Sequence, residues 1–167
     1  MKNGQIVKIM TIFLFLSLNV LGQINEDSIR QVVLTNNMVD SLYIFGEWYE
    51  SGGTETQLKY LGVIESKAGG FKILTSCRFW GLSKRATSRI LVFNKKNEFL
   101  GNYYVGMTYD LPEMIENNRI VFLHTKTDKC DKEVITRLSF QNGIPESFFL
   151  ECKDGFGDVY TFEKNKN

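Results

Sequence analysis

From Ser41 onward, apolar and polar side chains alternate in short bursts separated by turn-forming residues. In "KEVITRLSF", Val134, Leu138 and Phe140 fall on one side of an extended chain, and Arg137 and Ser139 fall on the other. Phe148, Leu150 and Cys152 share a face in "SFFLEC", as do Tyr160 and Phe162 in "VYTFE". The same two-residue period runs through "SLYIFGEWYE", "TQLKYLGVIES", "FKILTSCRFWG", "SRILVFN", "EFLGNYYVG" and "RIVFLHT". Between them stand "KAGG", "KKN", "QNGIP" and "KDGFGD", whose glycines, asparagines and proline favour tight turns. "LPEMIENN" reads as a turn or one helical turn. About eight or nine strands at this spacing predict an all-β, mostly antiparallel meander, either a sandwich or a barrel. In this scheme "KEVITRLSF" and "ESFFLEC" pair as a hairpin around "QNGIP".

One segment breaks the pattern. "NEDSIRQVVLTNNM" predicts a short helix of two or three turns, capped by Asn25 or Asp27, with Ile29, Val32 and Val33 near one face. Ahead of it, Lys2 and Lys8 precede an apolar run from Ile9 to Leu21, and Val20 and Gly22 are small residues suited to a cut. This is the layout of a secretory signal peptide over residues 1–22. The run is too short for a membrane-crossing helix, which needs roughly 20 apolar residues. The expectation is an exported single β-rich domain over residues 23–167, released near Gly22 into the periplasm or the extracellular space and not membrane-spanning. Two of the 20 basic residues leave with the leader, and the remaining 18 against 19 acidic ones give a net charge of −1. Such a balance excludes general attraction to nucleic acid or to an anionic membrane.

Export changes what the three cysteines mean. Thiols within reach of one another in an oxidising compartment become disulfides. Cys130 and Cys152 are the favoured pair, because both flank the expected hairpin, while Cys77 in "ILTSCRFWG" reads as a small buried strand residue. The hairpin register itself sets Cys152 opposite a residue near Ile135, so segment 126–131 has to fold back for the sulfurs to meet. No C-x-x-C spacing occurs, and the lone histidine, His124, completes no ligand set, so neither a metal nor a cofactor is expected.

Catalytic constellations are weak. Cys77 with His124 is the one conceivable thiol–base pair. Glu47 and Glu50 bracket two aromatics but alternate to opposite faces and define no acid–base separation. "GLSKRATS" lacks the phosphate-loop pattern, and "KDGFGD" lacks the alternating ligands of a calcium loop. A non-enzymatic role is expected.

Two features suit binding. Trp80, Lys84, Arg85 and Arg89 crowd into "WGLSKRATSR", a cationic surface bearing the residue types that dominate contact energies. Trp48 and Tyr49 lie beside the flexible "ESGG" loop, where an aromatic ring can stack on a sugar or anchor a protein contact. Gly46 and Trp48 also match the short G-x-W signature near the first strand of lipocalins, and the resemblance, which covers these two residues, implies an eight-stranded barrel with a ligand cavity. The expected function is a non-catalytic exported domain that binds another protein, as an inhibitor or a toxin-neutralising immunity protein does. The alternative is a lipocalin-like or carbohydrate-type module of the cell envelope for a glycan or a small apolar ligand.

Overall fold

Asn25 starts the first element by accepting the Asp27 N–H at 3.0 Å, which fills one of the donors a helix N-terminus leaves open. The computed structural model describes residues 25–124, 130, 131 and 133–166, so the expected leader lies outside the described residues. Helix α1 spans Glu26–Asn36 and ends at Asn37, whose positive φ of 52° lets the chain leave the helix. Its buried side is Ile29, Val33 and Leu34. Val32, expected on that side, is exposed: at about 100° per residue, Ile29, Val33 and Leu34 span an arc turned one way from Ile29, and Val32, about 60° the other way, falls off its edge.

Ten strands follow: β1 (Leu42–Glu47), β2 (Thr54–Ser66), β3 (Gly69–Trp80), β4 (Arg85–Asn94), β5 (Phe99–Val105), β6 (Met114–Glu116), β7 (Arg119–Leu123), β8 (Ile135–Ser139), β9 (Ser147–Lys153) and β10 (Phe156–Lys164). They form a seven-stranded sheet in the order β1-β2-β3-β4-β5-β10-β9 and a three-stranded sheet in the order β6-β7-β8. Every pairing is antiparallel. The fold is therefore all-β with one N-terminal helix, built as a sandwich and not as the closed eight-stranded barrel that the G-x-W resemblance implies.

Two apolar layers hold it together. Ile73, Ile90, Val92, Tyr103 and Phe148 of the large sheet meet Ile120, Phe122 and Leu138 of the small one. Phe148 is central: its ring lies 5.2 Å from those of Tyr103 and Phe122 and 5.4 Å from that of Tyr160. On the opposite side of the large sheet, α1 lays Ile29, Val33 and Leu34 over Leu58, Tyr60, Leu74, Leu91 and Phe93. A bulge at Leu61 lets one strand serve both layers. Leu58 and Tyr60 face the helix, whereas Ile64, of the same parity, joins Leu61 in facing the small sheet because the extra residue inverts the alternation.

One expectation holds only in part and another fails. "LPEMIENN" contains strand β6, and Asn117 and Asn118, both at positive φ, make the tight turn into β7. β8 pairs with β7 and β9 with β10, so the hairpin around "QNGIP" does not form and that segment carries the chain from one sheet to the other. The disulfide still joins Cys130 to Cys152, with Cα atoms 4.6 Å apart. The Asp131 N–H donates to the Cys152 carbonyl at 2.8 Å, which brings the chain ahead of β8 alongside β9. The bridge thus clamps the small sheet to the large one.

Candidate functional site: the open half of the outer sheet face

Helix α1 covers only part of the large sheet's outer face. Register decides what the uncovered part presents. Trp80 and Arg78 on β3 pair with Arg85 and Thr87 on β4, and further along β4 Arg89 pairs with Tyr104 on β5. Since alternate residues share a face, Trp80, Arg78, Arg85, Thr87, Arg89, Tyr104 and Asn102 all project outward. Beyond them, at the end of α1, lie Glu26 and Arg30.

These residues border a groove of about 670 Å³, with Arg30, Arg78, Arg89, Glu26, Trp80 and Asn102 among its walls. Its electrostatics are lopsided. Arg78 reaches Glu26 at 3.1 Å, and Arg30 pairs with both Glu26 and Asp27, so these two guanidiniums are already answered by carboxylates. Among the described residues Arg89 has no carboxylate partner, and its guanidinium lies 5.7 Å from the centre of the Tyr104 ring. Arg85 sits over Trp80 at 5.5 Å, an arrangement that keeps the cation in contact with an aromatic face while leaving it hydrated. The Trp80 indole N–H donates to the Thr87 hydroxyl at 3.0 Å, which fixes the ring, and 39% of the residue remains exposed. At the floor, the Asn102 Oδ1 is buried and has no hydrogen-bond partner among the described residues.

Of the residues singled out from the sequence, Trp80 and Arg89 line the groove and Arg85 flanks it. Trp48 and Lys84 brace its rim. The Trp48 indole donates to the Gly81 carbonyl at 2.7 Å, and the Lys84 ammonium lies 4.8 Å from the Trp48 ring and 5.3 Å from that of Phe79. Tyr49 is exposed in the loop after β1 and does not border the groove; its ring packs where a Cβ on Gly53 would stand, which explains that glycine. Arg78 and Arg30 were missed. Arg78 could have been found by stepping two residues back from Trp80 along the strand. Nothing in the local sequence of α1 brings Arg30 here.

The thiol–base pair does not assemble. Cys77 is 5% exposed beside the Ser88 hydroxyl, and burial pushes its thiol pKa up, away from a reactive thiolate. His124 lies elsewhere, with its Nε2 2.6 Å from the Glu151 carbonyl oxygen. Glu47 ends β1 and Glu50 occupies the following turn, so they face no common cleft. No family model matches the chain, and no curated protein or solved structure matches it either.

Proposed function

We propose that the protein is an exported binding domain that holds an acidic segment of another protein in the groove on its outer sheet face. The observation that carries this is the alignment of Arg78, Arg85 and Arg89 with the exposed Trp80 on one uncovered face, where Arg85 and Arg89 have no carboxylate partner among the described residues. A rigid sheet presenting fixed cations and an aromatic anchor needs no moving part to bind. The Cys130–Cys152 bridge supports export, since such bridges persist in oxidising compartments. Inhibition or neutralisation of the partner is the simplest role for a domain of this kind.

Charge reversal tests it. Lys84→Glu, Arg85→Glu and Arg89→Glu together should weaken the complex with the captured partner at least about 100-fold, because each lost ion pair at a partly buried contact is worth roughly 1 kcal/mol or more. Binding of the wild type should also fall with added salt. Unchanged affinity in the triple variant ends the proposal.

A second reading rests on the unpaired Asn102 Oδ1 at the groove floor. An acidic oligosaccharide would supply a hydroxyl donor to that oxygen, a carboxylate to the arginines and a ring face to Trp80. A melting-temperature rise with such a sugar, lost in Asn102→Leu and Arg89→Glu, distinguishes this occupant from a protein.

A further inference from the structure

A second hollow, of about 430 Å³, opens at the clamped end of the sandwich. It lies beside the disulfide, between the segment after β5, the end of β7, and strands β9 and β10. Tyr109, Tyr160, Met107 and Leu150 give it an apolar and aromatic lining, and its polar members are Asp110, Asp158 and His124.

The hydrogen-bonding state of this lining is one-sided. The Glu151 carbonyl can only accept, so His124 Nε2 carries the proton and donates to it. In the neutral ring Nδ1 then bears a lone pair. His124 is 2% exposed, and Nδ1 has no partner among the described residues. Asp110 accepts the Met107 N–H at 2.9 Å through Oδ2, and its carboxylate lies beside the Tyr160 phenol, whose pKa it helps to raise after burial. Asp158, at the rim, has no cationic or hydrogen-bonding partner among the described residues. Among the described residues that line the hollow there is no lysine or arginine. What remains is a set of acceptors: one buried imidazole lone pair and two carboxylates, with aromatic rings beside them. An unmatched buried acceptor is costly, so the complement is a donor-rich cation. Among the described residues no three ligand side chains converge as a metal ion requires.

We propose that this hollow binds a primary ammonium group on a short aliphatic stem. Asp110 and Asp158 supply the counter-charge, His124 Nδ1 accepts one N–H, and Tyr109 and Tyr160 flank the cation and its methylenes. A free diamine and a lysine side chain share this chemistry. The site is independent of the arginine groove, which has the opposite charge preference and lies on the other face of the large sheet.

Calorimetric titration of the intact protein with 1,4-diaminobutane and with Nα-acetyl-lysine amide tests it, with 1,4-butanediol as the uncharged control. Saturable binding of either amine, absent for the diol, is expected. Binding of the diamine alone identifies a free polyamine as the source; binding of the lysine derivative alone identifies a protein side chain. Asp158→Asn, at an exposed position where folding is not at stake, should weaken the amine at least about 10-fold, the effect of losing one charge-assisted contact. His124→Phe should weaken it as well; if that variant does not fold, the Asp158→Asn result decides. No heat with either amine, equal binding of the diol, or full affinity in Asp158→Asn overturns the proposal.

Discussion

Tyr103 shows how much a single side chain is committed in this core. It is fully buried, donates its phenol proton to the Pro145 carbonyl at 2.6 Å, and packs against both Phe148 and Phe162. Burial raises its pKa well above the ordinary value of 10.0; Tyr160 is raised too, by burial first and then by the neighbouring Asp110 carboxylate. The sign of the consequence follows from linkage. Below pH 10 folded and unfolded chains both hold these protons, whereas above it the unfolded chain releases them and the folded chain does not. Stability should therefore fall as pH rises beyond 10. Denaturant melts at pH 9 and pH 11, with ultraviolet titration of the phenols, should show exposed tyrosines ionising first and these two only on unfolding. The sequence reveals much at this scale when a residue's role follows from its strand parity. Tyr160 and Phe148 were legible in that way. Arg30 was not, because its place in the groove comes from how α1 lies on the sheet, a distance of some fifty residues along the chain from Arg78.

At the scale of elements, alternation told which face each residue would take but not which strand would be its neighbour. β8 and β9 carry the right pattern for a hairpin and a glycine-containing turn between them, yet each satisfies its backbone elsewhere, β8 on β7 and β9 on β10. Face and neighbour are separate choices, since any amphipathic strand pairs equally well by pattern with several others. β6 was overlooked because three residues are too few to show a period. The disulfide pairing was right although the hairpin invoked for it does not exist. Replacing Cys130 and Cys152 together by serine should lower stability by about 3 kcal/mol, the loop-closure value for a separation of 22 residues. Urea melts of the oxidised protein and the double variant measure this. The clamp sits beside the ammonium-binding hollow, so the same variant also reports on whether that hollow needs the two sheets held together.

On the scale of the molecule, the large sheet is buried on its inner face along most of its length and only partly covered on its outer face. That asymmetry sets both what is stable and what is free to bind. Phe148 touches three other rings at the junction of the sheets, and Phe148→Ala should cost about 3–5 kcal/mol, enough to leave a domain of this size marginal. Thermal unfolding of that variant, compared with Phe149→Ala on the exposed side of the same strand, separates core packing from surface effects. The all-β architecture with its leading helix was readable from the sequence, because it depends on local period and turn chemistry. The division into seven and three strands was not, because it depends on which layers close around the shared aromatic core.

Strand β10 lies between β5 and β9, although residues 106–155 separate it from β5 along the chain. As the chain folds, then, β1 to β5 can form a five-stranded unit whose β5 edge, with Gly101, Asn102 and Tyr103, stays bare until β10 arrives. Any chain caught in between offers a naked hydrogen-bonding edge to its neighbours. Dilute refolding should therefore outyield concentrated refolding, because partly folded copies can meet edge to edge before β10 docks.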